Sequence, residues 1–179
     1  PKRVFVQLTW GFLIRRLLAY RDLYRRRKHR SKGKHMIRRF GTPPKSGVQY
    51  HLRPGAYAVL MRSTQVLLTF QEEPEPEYQI PGGGIDPGEH MIPALRREIM
   101  EETGWCVGSP VRLGTFRQFV FMPEYEKWAD KMCHVFLARP ALKLGEPTEL
   151  GHTCVWTSAE SAIDLVSSPG ARHFLTSVL

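Results

Sequence analysis

The sequence predicts an α+β domain, with a mixed β-sheet covered by helices on both faces. Three observations predict it. Short apolar, β-branched runs recur between turn residues, stretches with helical signals sit among them, and the two kinds do not follow strict βαβ alternation. The 179 residues suit one domain with room for a core. A hydrophobic content of 42% argues for a globular chain rather than a disordered one. Fifteen glycines and fourteen prolines make it loop-rich.

Residues 1–35 read as a basic extension, residues 36–54 as a linker, and residues 55–179 as the folded domain. Gly41-Thr42-Pro43-Pro44 and Arg53-Pro54-Gly55 punctuate the linker as turns. Ala56–Met61 and Gln65–Gln71 are apolar runs separated by Arg62-Ser63-Thr64 and read as a hairpin. The acidic, proline-broken stretch from Gln71 to Glu77 is a loop. Tyr78-Gln79-Ile80 is a short strand ended by Pro81-Gly82-Gly83-Gly84. Pro93–Thr103 is a helix, with proline in the first turn and Gly104 just past the end. Val111–Met122 and Met132–Ala138 read as longer strands and Thr153–Trp156 as a shorter one. Ser158–Val166 and Ala171–Val178 read as helices.

Charge divides the chain. Residues 1–50 carry fifteen Lys/Arg against Asp22 alone, whereas residues 51–179 carry eleven against sixteen Asp/Glu. The overall +9 therefore belongs to the extension, and the predicted domain is mildly acidic. Cys106, Cys133 and Cys154 have no CxxC spacing and no even pairing, which argues against a disulfide scaffold or a zinc site and for reduced thiols in a cytoplasm. Val4 to Ile14 is too short and too interrupted for a membrane span, and it lacks the cleavage site of a signal peptide.

The chemistry concentrates between Gly82 and Trp105. On a helix at about 100° per residue, Glu101 lies near −60° and Glu102 near +40° from Glu98, so three carboxylates share one face. Ile92, Leu95 and Ile99 form a neighbouring stripe that can pack on a sheet. Each close carboxylate pair costs about 3 kcal/mol at ~6 Å and an effective dielectric of ~20. Arg97 and Arg96 lie off this arc, so the sequence offers the acids no basic partner. Two readings stay open on the helix alone: a fully solvated face, or a hard divalent cation such as Mg²⁺ poised for phosphoryl chemistry. Gly82-Gly83-Gly84 lets backbone approach such a site closely.

The stretch from Gly83 to Trp105 resembles the Nudix box, in which a glycine, five residues, a glutamate and seven residues precede Arg-Glu-aliphatic-any-Glu-Glu-any-Gly-bulky apolar. Gly83, Glu89, Arg97, Glu98, Ile99, Glu101, Glu102, Gly104 and Trp105 fill every specified position. The seven strict positions alone coincide by chance on the order of 10⁻⁹ per starting point. Only Trp105 departs softly, since an aliphatic residue is commoner there. Tyr78-Gln79-Ile80-Pro81-Gly82-Gly83 resembles the family's lead-in.

The resemblance implies a Nudix-type α/β/α sandwich around a mixed β-sheet, and hydrolysis of a phosphoanhydride in a nucleoside diphosphate derivative by metal-activated water. It makes Glu98, Glu101 and Glu102 metal ligands, with the Gly82 carbonyl joining them and Mg²⁺, or Mn²⁺, as the ion. Glu89 becomes a supporting or further metal contact, and Arg97 the residue that holds the box carboxylates. The general base is Glu98, with Glu149 on a late loop as the alternative; Glu146 sits in the same region.

Pro123 and Tyr125 fall where some family members carry diagnostic residues, at spacings that match neither pattern. Phe116, Phe119, Phe121, Tyr125 and Trp128 could stack on a base, with core packing the favoured role for Phe119, Phe121 and also Trp156. His90, His134 and His152 are scattered and receive no chemistry. The substrate is a small nucleotide. The basic extension has four readings: a solvated arm, an arm for nucleic-acid phosphates, an amphipathic helix on an anionic membrane, or a stretch absent from a chain starting at Met36. Two rival functions follow, a nucleotide sensor without turnover and a pyrophosphohydrolase directed to RNA ends by the arm.

Overall fold

The computed structural model describes residues 37–178. The expectations placed on residues 1–35, including contact with nucleic acid or membrane, lie outside the described residues.

Ten strands and three helices make up this part. The strands are β1 (Arg38–Arg39), β2 (His51–Arg62), β3 (Gln65–Gln71), β4 (Glu77–Gln79), β5 (Gly82–Gly84), β6 (Trp105–Val107), β7 (Val111–Met122), β8 (Lys127–Ala138), β9 (Pro140–Lys143) and β10 (His152–Ser158). The helices are α1 (Met91–Thr103), α2 (Ala159–Leu165) and α3 (Pro169–Thr176). Eight strands form one mixed sheet in the order β1-β7-β8-β2-β3-β10, with β4 beside β3 and β5 beside β2. The pairs β2–β8 and β1–β7 are parallel, and the rest are antiparallel. β6 and β9 pair separately.

Alternation along β2 divides the core. Ala56, Ala58 and Leu60 face one side and meet Leu95 and Ile99 of α1, together with Phe136 and Ala138 of β8. Tyr57 faces the other side, as does the row Phe116–Cys133, against which Phe174 of α3 packs at 6.1 Å between ring centres. The expected apolar stripe of α1 thus does seat the helix on the sheet, with Leu95 and Ile99 fully buried and Ile92 packed beside them. Helices lie on both faces, as the sequence predicts.

Four differences from the sequence reading have physical causes. Residues 36–54 are not a bare linker: β2 begins at His51, and Arg38–Arg39 pair with Phe116–Arg117. Gly82–Gly84 does not merely end a strand but forms one, opposite Gly55–Tyr57. Glycine carries no strand propensity, so the partner strand decides this. Phe121 is 46% exposed and stacks on Trp128 at the end of the β7–β8 hairpin rather than lying in the core. The β6–β9 pair lacks the alternating pattern that would have announced it.

Candidate active site

Three stretches of chain build the site, and α1 supplies the first. Its last turn ends at Gly104, which adopts φ 69° and returns its N–H to Met100 O. A side chain at 104 would meet Gly145 O at 2.0 Å, so glycine serves both the left-handed cap and the close passage of the 144–149 loop. That loop hangs on the helix end. Leu144 N–H donates to Gly104 O at 2.8 Å, and Thr148 and Glu149 N–H donate to Glu101 O at 2.7 and 3.1 Å. The orphan carbonyls of the helix thereby fix where Glu149 stands.

The glycine strand β5 supplies the second stretch. Gly82 N–H donates to Glu102 Oε2 at 2.9 Å. Gly83 lies directly on the Glu98 carboxylate, with no room for a Cβ. Glu102 is buried, its side chain only 8% exposed. Burial pushes its carboxyl well above the usual carboxylate range, and the Gly82 amide pulls it partway back. Burial also raises Glu98, against the opposing pull of Arg97.

Arg97 corrects the expectation that the acids lack a basic partner. Its guanidinium donates to Glu89 Oε1 and Oε2 at 3.1 and 2.9 Å, to Glu98 Oε1 at 2.8 Å, to Glu101 Oε2 at 3.1 Å and to Gly84 O at 3.1 Å. A helical wheel places Cβ atoms, whereas the arginine stem carries its fork around the helix to the acidic face. These hydrogen bonds hold Glu89 below the usual carboxylate range.

The third stretch brings Glu149 and His152. Both approach Glu102, and one donor atom from each of the three lies within 4.8 Å of the others. The sequence gives His152 no role. It stands some fifty residues from the box, and no local signal marks it. Glu146 turns away instead, paired with Lys143 at the surface. His134 bonds Thr115 on the sheet, outside this group. Pro123 and Tyr125 form a 3-10 turn, and Tyr125 carries the Arg53 guanidinium over its ring at 4.4 Å.

The donor set suits a hard divalent cation. Glu89, Glu98 and Glu101 gather around the guanidinium of Arg97, Glu102 and Glu149 stand together with His152, and the side chains of Glu98 and Glu102 are largely enclosed. A bound cation would offset this excess of negative charge with oxygen ligands.

On the opposite face of the sheet, lined in part by Tyr57, the strand partner of Gly82, lies a cavity of about 300 Å³. Tyr57, Gln79, Phe116, Gln118, Lys131 and Ser168 are among its lining residues. Burial pushes the Tyr57 phenol up to about 12, and the Lys131 ammonium stands 5.8 Å from its ring centre. Among the described residues no helix is long and apolar enough to cross a membrane.

Comparison with known proteins agrees with this architecture. A "Putative 8-oxo-dGTP diphosphatase" of Bacillus subtilis (strain 168) is 33% identical over 70 residues. That match spans 39% of this chain and 47% of the relative, so it covers about half of the relative's length. A MutT NUDIX hydrolase from Burkholderia pseudomallei shares the fold with a TM-score of 0.55 at 24% identity, over 72% of this chain and 99% of that one. A NUDIX hydrolase from Nitrosomonas europaea does so with a TM-score of 0.55 at 17% identity, over 70% and 87%. The family model described as NUDIX domain matches residues 51–177, most of the chain, and the protein therefore belongs to the Nudix hydrolase family.

Proposed function

We propose that the chain hydrolyses a phosphoanhydride bond of a nucleoside diphosphate derivative, at a divalent cation held by Glu98, Glu101, Glu102 and the Gly82 carbonyl. The observation that carries this reading is the run of carboxylates along one face of α1, in which Glu98 and Glu102 are enclosed against the glycine strand β5 and only Arg97 offers a guanidinium to the cluster. Mg²⁺ is the ion proposed for these oxygen donors, since it accepts few carboxylates and completes its shell with water and substrate phosphates. When bound, such a cation neutralises phosphate oxygens and makes a water molecule more acidic.

Within this reading the chain's own groups divide the work. Arg97 engages Glu98 Oε1, leaving Oε2, beside Gly83, to take the proton of the attacking water. Glu149 is the alternative base, and it reaches the site only because its amide is anchored on α1. Glu89 orients Arg97. The cavity on the far side of Gly82 receives the nucleoside portion, with Gln79, Gln118 and Lys131 offering polar contacts and Phe116 an apolar wall. Its volume lies at the low end of the ~300–1,000 Å³ range of small-molecule sites. The partial likeness to the B. subtilis protein puts oxidised purine nucleoside triphosphates in the first panel of substrates.

The test is a panel of ordinary and oxidised nucleoside triphosphates, dinucleoside polyphosphates, nucleotide sugars, ADP-ribose and capped RNA, assayed with Mg²⁺. We expect at least one class to be hydrolysed, chelation to abolish turnover, and Glu98→Gln and Glu102→Gln each to lower kcat about a hundredfold or more. Undiminished turnover after exhaustive chelation would overturn the reading.

A further inference from the structure

The face of the sheet opposite α1 carries a row of donors. Lys131 of β8 stands in register with Arg53 of β2 on one side and with Gln118 of β7 on the other. Lys131 and Gln118 line the cavity. Arg53 continues the row toward the glycine strand, where its Nη2 lies 3.6 Å from the position a Cβ of Gly84 would take. Arg97 donates to the carbonyl of the same Gly84, so two guanidinia meet near this residue. The Arg53 fork is held in place by Tyr125. Its carbon sits 4.4 Å from the Tyr125 ring centre, and Nη2 donates to the Tyr125 hydroxyl at 3.2 Å. Among the described residues its other N–H groups have no acceptor, and no carboxylate stands within ion-pair distance of Arg53 or Lys131. Glu77 attracts Lys131 from beyond that distance. Two cations in register on neighbouring strands repel each other. An anion between them removes that cost, and a guanidinium seated on an aromatic ring keeps its edge free for paired bonds to a phosphate.

We propose that Arg53, seated on Tyr125 and in register with Lys131, binds a phosphate of the substrate beyond the two that flank the bond cleaved, and so selects nucleoside triphosphates over nucleotide sugars. The proposal rests on the reading of the site as one for nucleoside diphosphate derivatives, and it narrows that class. The direction of the row carries the assignment. The nucleoside takes the cavity at the Gln118–Lys131 end, and the cation takes the carboxylates packed against Gly82 and Gly83. Arg53 lies past both, beside Gly84. A chain of phosphates that continues to this point meets a guanidinium, whereas the uncharged sugar of ADP-ribose or GDP-mannose brings no charge to it. Tyr125 is a positioning residue, because it acts by setting the plane of the Arg53 fork.

The experiment uses the full chain saturated with Mg²⁺ and two probes without a base, inorganic pyrophosphate and inorganic triphosphate, titrated calorimetrically. We expect the wild type to bind triphosphate about tenfold or more tightly than pyrophosphate. Arg53→Gln should bring that ratio below about threefold. Arg53→Lys should recover part of it, and Tyr125→Leu should lower it by less than Arg53→Gln does. Kinetics supply a second arm, with ATP against ADP-ribose and GTP against GDP-mannose. In Arg53→Gln the ratio of kcat/KM for triphosphate over nucleotide sugar should fall about tenfold or more, through KM for the triphosphate. Equal binding of the two probes by the wild type, or a ratio that survives Arg53→Gln, would overturn the proposal. Losses of kcat/KM that are the same for both substrates of a pair would also overturn it, since a merely structural role weakens both alike. Should Arg53→Gln fail to fold, Arg53→Lys and Tyr125→Leu decide, and a wild-type ratio in both would end the proposal. Discrimination between the probes without turnover of any nucleotide would overturn the hydrolytic reading and leave the phosphate position at Arg53 standing.

Discussion

A Cβ placed on Gly83 would lie 2.4 Å from Oε2 of Glu98. The clash is with the far end of a flexible side chain and not with backbone, so Glu98 can move aside at little cost to the fold. Gly83→Ala should therefore separate function from stability. Its melting temperature should stay within about 3 °C of wild type, a change of under about 1 kcal/mol. Its kcat should fall at least about tenfold, because Glu98 can no longer occupy its place. Unchanged turnover with a folded variant would show that the position of Glu98 is irrelevant to the reaction.

Arg97 uses its whole fork, with bonds to three carboxylates and one carbonyl. Lysine keeps the charge but offers three donors from one point. Arg97→Lys should lose about 1–2 kcal/mol in urea unfolding, a figure kept modest because the group is about one-third exposed to solvent. The loss of stability should come with a fall in kcat, since Glu98 and Glu101 lose their common tether. Wild-type stability in Arg97→Lys would mean that charge alone holds the cluster.

Arg97 also shows where the sequence stops being legible. The helix α1, its apolar stripe and its Gly104 cap are local patterns, and they are visible in the residues themselves. The box motif names Glu98, Glu101 and Glu102 because their spacing is periodic. The reach of Arg97 around the helix is not visible, because a wheel records where a side chain leaves the axis and not where its end lies. His152 is hidden for a different reason. Glu149 is brought beside it and Glu102 by a loop anchored on backbone carbonyls, and carbonyls carry no sequence signature. Gly82–Gly84 and the pair Arg38–Arg39 are strands only by virtue of the strands they meet.

The raised carboxyl of Glu102 gives a pH prediction for the metal-free protein. The folded state keeps the Glu102 proton to a higher pH than the unfolded chain, whose carboxyl titrates near the ordinary 4.5. Above 4.5 the native state thus binds more protons, and stability falls as pH rises through the window up to the raised value. Glutamine has no proton to lose and can still accept from Gly82 N–H. Glu102→Gln should therefore melt higher than wild type at pH 7, and the gap should close as pH falls toward 4.5. Saturating divalent cation should reverse the order, because it stabilises only the protein that binds it. A metal-free variant that melts below wild type at pH 7 would contradict the burial cost assigned to this carboxylate.

Two N-terminal deletions test where the working domain begins. Removing residues 1–35 should leave kcat and KM for small nucleotides largely unchanged at 0.15 M salt. The site runs from Gly82 to His152, the family match begins at residue 51, and the positive charge lies in the part removed. Attraction of anionic substrates by that charge extends only about 8–10 Å at physiological ionic strength, so any effect should appear in kcat/KM at low salt and fade as salt rises. Removing residues 1–50 should behave differently. Phe40 N–H bonds Arg117 O at 2.9 Å, and its ring packs on Phe116 and His173. Tyr50 packs on Phe119 at 4.7 Å and on Trp128 at 5.8 Å. Losing two partly buried aromatic rings and the β1 pairing should cost about 2–4 kcal/mol, read as a lower urea midpoint. Equal stability of the two shortened chains would show that residues 36–50 are the linker their composition suggests. A tenfold loss of kcat on removing residues 1–35 that persists at 0.15 M salt would instead make the basic extension part of the active site.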